Sequence, residues 1–207
     1  PETGYYEITN WNKFPNFIKI ILKFNNTLIG RIMIGPLVGM INFINSDLNF
    51  IIKGNKQVLY GWLLFVPALM IVLFWLYYFG SVKIWEYALA AYGALSILKI
   101  RTFIEHRAHE LTSARSVIVN DRGILSLLFL NNNYHVVHHS HPYIPWYNLP
   151  SVFELNKKKF LKSNDNYYYK NYFIVFKKYL LVKKEKLIHP YWNLQNRANP
   201  IRQEESN

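Results

Sequence analysis

Hydrophobic residues are spread unevenly along this chain. Residues 58–79 read VLYGWLLFVPALMIVLFWLYYF without a charged side chain, long enough to cross the roughly 30 Å hydrocarbon core of a bilayer as a helix of about 20 residues. Lys53 and Lys56 precede the run, and Trp62, Trp75, Tyr77 and Tyr78 place aromatics near its two ends. Pro67 falls inside it, where membrane helices tolerate proline. After Gly80 and Ser81, residues 84–100 (IWEYALAAYGALSILKI) form a second, shorter apolar stretch, with Glu86 near its start and Lys99 near its end. It reads as the return helix of a transmembrane hairpin. Ala88, Ala90, Ala91, Gly93, Ala94 and Ser96 give it small side chains suited to close packing against a neighbour.

Two earlier segments are apolar but interrupted. Residues 28–45 contain Arg31, three glycines and Pro36, which favours an interfacial or re-entrant segment over a clean span. Residues 14–24 (FPNFIKIILKF) carry two widely spaced lysines and suit a helix lying on a membrane surface. Lys53 and Lys56 at one mouth of the hairpin, and Lys99 and Arg101 at the other, outnumber the single Lys83 in its turn. The positive-inside bias therefore places both mouths, and residues 101–190 that follow, in the cytoplasm. The fold class expected is all-α: an integral membrane helical hairpin with interfacial helices, a cytoplasmic helical cap over 101–190, and a tail at 191–207.

Composition adds a charge constraint. The 207 residues are 51% hydrophobic, and 24 Lys and Arg stand against 12 acids, a net charge of +12. The complementary surface is then anionic, either nucleic acid or membrane lipid. Ten lysines fall between Lys157 and Lys186, with Asp165 and Glu185 as the only acids there. No nucleic-acid-binding signature accompanies them, so anionic lipid is the expected partner and nucleic acid is not. There is no cysteine, which excludes disulfides, thiolate metal sites and thiol nucleophiles. The first residues carry no basic segment followed by an apolar one and are not a signal peptide.

The chemistry concentrates in histidine. Six of the seven lie between His106 and His141. His106 and His109 (RTFIEHRAHE) are spaced i, i+3, and His135, His138 and His139 (NNNYHVVHHSHP) follow an HxxHH spacing that brings them to one side of a helical turn. Neutral imidazole binds borderline metals such as iron and zinc, usually with its other nitrogen hydrogen-bonded. Five histidines in two tight clusters therefore point to a metal site. A zinc protease is excluded because no HExxH occurs, Glu105 and Glu110 flanking the pair instead, and no GxSxG supports a serine hydrolase. His141 and His189 read as structural, and Trp146 and Tyr147 as packing residues or as lining for an apolar tunnel.

The string LLFLNNNYHVVHHSHPYIPWYNLP resembles the third histidine box of the membrane fatty acid desaturase family, in its bacterial branch. RTFIEHRAHE resembles the extra histidine at the end of that family's last membrane helix, and ARSVIVNDRG also reads like this branch. The resemblance spans Tyr5 to Pro190. It implies a di-iron centre held by histidine that uses O2 to introduce a double bond into fatty acyl chains, with electrons from a ferredoxin or cytochrome-type donor. By that resemblance His106, His135, His138 and His139 are iron ligands, His109 a weaker candidate, and Asn131 and Asn132 supporting partners. The family also has two earlier boxes. No histidine precedes His106, and PETGYY resembles the stretch after the second box, so the expectation is a C-terminal fragment that cannot by itself organise two irons. A histidine-box lipid or alkane hydroxylase shares the same ligand chemistry. A non-enzymatic basic protein of the membrane surface is the alternative of another class.

Overall fold

The computed structural model describes residues 5–191; PETG at the start, and nearly all of the tail expected at 191–207, lie outside the described residues. The described chain is helical, in the order α1 (Ile8–Lys13), α2 (Asn16–Asn25), α3 (Leu28–Ile52), α4 (Lys56–Tyr78), α5 (Ile84–Ile104), α6 (Ile124–Leu128), α7 (His135–Ser140), α8 (Leu149–Leu155), α9 (Lys157–Ser163) and α10 (Tyr172–Tyr179). One short parallel pair interrupts it, β1 (Ile118–Val119) beside β2 (Tyr168–Tyr169). The all-α membrane class expected from the sequence holds. The chain divides into two compact units, residues 32–99 and the residues up to Arg31 together with those from Ile100 onward.

The 32–99 unit contains most of three helices long and apolar enough to cross a membrane, α3, α4 and α5. At 1.5 Å per residue, their 21 to 25 residues span about 31–37 Å. Residues 28–45, expected to lie at the interface or to re-enter, form the first part of one unbroken helix, α3, which runs through Pro36. Apolar length outweighs the three glycines and the proline there. Gly54, at φ +83°, makes the turn into α4, a backbone state that glycine adopts without steric cost. The Asn55 side chain then accepts hydrogen bonds from the amides of Gln57 and Val58, capping α4. The Glu86 carboxylate accepts from the Lys83 amide and closes the start of α5 in the same way.

Inside this unit α3 is tied to its neighbours by polar contacts. Trp62 Nε1 donates to Asp47 Oδ2 at 2.9 Å, and Tyr92 OH donates to the Met33 carbonyl at 2.5 Å. No residue of α4 is buried, which suits a helix whose solvent is lipid. Of the small residues expected to pack closely, Ala91 and Ser96 are half-buried, while Ala88, Ala90, Gly93 and Ala94 are exposed in the described chain and a Cβ at Gly93 would meet nothing within 4 Å.

The second unit has a conventional core. Ile118, Tyr134, Val136, Val137, Leu149, Phe153 and Phe160 pack together, drawing β1, α7, α8 and α9 onto one cluster. The end of α5 is buried here through Ile100, Phe103 and Ile104, and Tyr167 OH donates to the Ile104 carbonyl at 2.5 Å. The C-terminal segment is laced to the N-terminal one: Tyr6 N to Leu187 O, His189 N to Tyr6 O, Lys184 N to Asn26 O and Ile29 N to Leu180 O. α2 turns Phe17, Ile20, Ile21 and Phe24 outward, an i, i+3, i+4, i+7 apolar stripe that suits a membrane surface.

Phe153 is fully buried and Leu155 is 83% exposed. Phe153→Ala is expected to cost about 3–5 kcal/mol, seen as a lowered unfolding temperature of the detergent-purified chain, while Leu155→Ala leaves that temperature unchanged.

Candidate metal centre

His106 and His135 lie 29 residues apart, and backbone pairing across residues 115–119 brings them together. On one side of that segment, Arg107 N donates to Arg115 O and Val117 N to Glu105 O. On the other, Val119 N donates to Asn133 O and Val136 N to Val117 O. The buried Asn133 side chain reinforces this by donating to the Val119 carbonyl at 2.6 Å. The stretch after α5 and the start of α7 are thus fixed against a shared strand-like spine. Leu130 and Asn131, both at φ +50°, make the turn that delivers the chain into α7.

Three imidazoles converge. His135 Nε2 lies 3.1 Å from His106 Nε2 and 3.0 Å from His139 Nε2. His135 and His139 are i, i+4 on α7 and so project from one face. On the far side of the His135 ring, Nδ1 is 3.0 Å from Asn132 Oδ1 and 3.3 Å from Glu105 Oε1. With acceptors facing it, Nδ1 carries the hydrogen and Nε2 presents its lone pair to the cluster. Burial, followed by the neighbouring His106 and His139, lowers the His135 pKa to about 2, so its ring is neutral at physiological pH. Burial, then His138, lowers that of His139 also.

Glu105 was not among the residues singled out from sequence. Its carboxylate is buried, meets Arg101 Nε at 3.3 Å as well as His135, and is raised in pKa by that burial against the pull of Arg101. The available signal was a carboxylate immediately before a histidine where an apolar helix ends. Lys184 was also missed: its ammonium donates to the His106 carbonyl, and burial lowers its pKa to about 8 against the opposing effect of Glu185.

The other expected residues fall in different places. His138 is half-buried, its ring 6.0 Å from that of His135, and it does not join the convergent group. His109 faces outward from the cluster, with Nδ1 accepting from Leu111 N and Nε2 3.5 Å from Asp165. Asn131 acts through its backbone, its amide donating to Ser126 O and its carbonyl accepting from Tyr134 N. His141 packs its ring edge against Phe160, and His189 packs against Tyr5. A recess of about 540 Å³ borders the cluster, lined by His106 and His139 together with Thr112, Ser113, Arg115, Ser116, Val136, Ser140 and Ser163.

His106, His135 and His139 fit a metal ion. Two of their three nitrogen pairs are 3.0–3.1 Å apart, and all three nitrogens lie within 4.8 Å of one another, close enough to share one ion. Three imidazoles, with the outer nitrogen of His135 held by amide and carboxylate, form a donor set that suits iron.

Helices of membrane length combined with three convergent histidines that could hold a metal ion define the class, an integral membrane protein with a candidate metal centre. A family model described as fatty acid desaturase matches residues 1–171, and the chain belongs to the fatty acid desaturase family. No curated protein and no solved structure matched it. This is an iron-dependent family of lipid oxidoreductases, of desaturase or hydroxylase type, that use O2 and electron donors.

Two outcomes follow from the geometry. The depressed His135 pKa leaves the unfolded state binding the extra proton in acid. The metal-free protein should therefore keep its full stability above about pH 6.5 and lose it progressively as pH falls toward 2, with a shallower loss in His135→Asn, measured by thermal unfolding against pH. Glu105→Gln is expected to weaken ferrous iron binding about tenfold in equilibrium titration, whereas His109→Ala leaves it unchanged.

Proposed function

We propose that this chain supplies part of the iron site of an O2-dependent oxidoreductase that introduces double bonds into fatty acyl chains. The observation that carries the reading is the convergence of His106, His135 and His139 at the end of an apolar helix of membrane length. His106, His135 and His139 would hold iron through Nε2, and the bound metal supplies the O2 chemistry that removes hydrogen from an unactivated C–H bond. Asn132 and Glu105 hold the proton on Nδ1 of His135 and fix its ring. Lys184 holds the backbone of His106. The hydroxyl-lined recess admits small polar species to the exposed edge of His139.

His138, on the same helix but turned aside, would serve a second iron, and His109 would have a surface role. No histidine precedes His106, so the chain by itself is proposed to hold one iron and to need further ligands for turnover. The lysine and arginine bias around the hairpin supports a cytoplasmic position for residues 101–190.

Elemental analysis of the detergent-purified chain tests the ligand set. About one iron per chain is expected in the wild type and next to none in His106→Ala or His135→Ala; equal iron in all three would sink the assignment. Supplied with a version extended to carry the two upstream boxes, cells should accumulate acyl chains two hydrogens lighter, read by mass spectrometry. Acyl chains gaining one oxygen would make the enzyme a hydroxylase, and unchanged lipids with no iron bound would favour a basic membrane-surface protein.

A further inference from the structure

Removing two hydrogen atoms from a saturated acyl chain releases two electrons, while reducing O2 to two water molecules takes four. Two electrons and two protons must therefore arrive from outside, and the electrons have to reach the histidine cluster from a surface. We propose that α9 and the rim of the adjoining recess form the docking surface for an acidic electron-carrier protein. The inference rests on the reading of this chain as part of an O2-dependent desaturase.

Three observations converge on α9. Its buried face connects directly to the metal site: Phe160 belongs to the same packed cluster as Val136 and Val137, the two residues between His135 and His138 on α7. Its outer face is cationic, with Lys158, Lys159 and Lys162 exposed. Of the lysines on this helix, Lys157 pairs with Glu154 at 3.9 Å, and no carboxylate among the described residues lies in ion-pair reach of the other three. Its last residue, Ser163, lines the recess whose wall includes His106 and His139. Positive charge thus lies on the helix whose last residue borders an opening lined by two of the three converging imidazoles.

The chemistry of this face favours a protein over a lipid surface. Across residues 149–163, Leu155 is the one exposed large hydrophobic side chain, so little apolar surface is available to insert into a bilayer. The α10 region is different, with Phe173, Leu181 and Val182 exposed among Lys170, Lys177 and Lys183. A cationic, polar face matches the small and salt-sensitive interfaces through which electron carriers dock transiently.

The test measures binding of an acidic plant-type [2Fe–2S] ferredoxin to the detergent-purified full chain at low and high salt. Binding that weakens with salt is expected, with Lys158→Glu/Lys159→Glu/Lys162→Glu weakening it about tenfold or more. The matched reversal Lys170→Glu/Lys177→Glu/Lys183→Glu should change it less than about threefold. Unfolding temperatures confirm that the variants fold, and the Lys→Gln version of the α9 triple should show an intermediate loss. Equal loss from both reversals, no loss from the α9 reversal, or no ferredoxin binding by the wild type overturns the proposal. So does an α9 reversal that abolishes only binding to phosphatidylglycerol vesicles, which would make α9 a lipid surface. Iron content measured in parallel separates the two readings: a wild type without iron defeats the proposed iron site, while an iron-bearing wild type that ignores the ferredoxin defeats the docking surface alone.

Discussion

Burying an imidazole without partners is costly, because both the charged ring and an unsatisfied N–H lose solvation. At His135 the cost is met by two acceptors on Nδ1, Asn132 and Glu105, which leave Nε2 as a lone pair aimed at His106 and His139. Every other property of the site depends on this arrangement. If Nδ1 were free to lose its hydrogen, the ring could flip its tautomer and the convergence of three donor nitrogens would be lost. Glu105 is itself buried and held by Arg101, so the outer partners are as firmly placed as the ring they orient.

The backbone carries this order outward. Residues 115–119 hydrogen-bond to the His106 segment on one side and to the start of α7 on the other, while Ile118 N also donates to Tyr167 O next to β2. Lys184 then fastens the His106 carbonyl from the C-terminal segment, which is itself paired with residues near the N-terminus. A short helix such as α7, only six residues long, has little stability of its own. Its position is imposed by the core of Tyr134, Val137, Phe153 and Phe160 and by this spine, and so is the basic face of α9, whose Phe160 is part of the same core.

The 32–99 unit obeys different rules. Its helices bury little against one another, and α3 is tied to α4 and α5 by two hydrogen bonds, Trp62 with Asp47 and Tyr92 with the Met33 carbonyl, beside a ring contact of Phe43 with Trp62. Where lipid replaces water, apolar burial between helices ceases to be a driving force and hydrogen bonds take a larger share.

Much of this protein was legible in its sequence because the signals were local. An unbroken run of twenty apolar residues dictates a membrane-length helix whatever surrounds it, and HxxHH fixes the i, i+4 relation of His135 and His139 through helical geometry alone. The family resemblance carried by those motifs agrees with the match over residues 1–171. The tertiary structure decided what depends on distant pairings: that His106 joins the cluster while His109, three residues on, does not, that His138 turns aside, and that Glu105 and Lys184 become partners of the site. These outcomes are set by hydrogen bonds between distant segments, such as that from the Lys184 ammonium to the His106 carbonyl 78 residues away, and by which polar groups burial forces together, and neither is written in the spacing of residues along the chain.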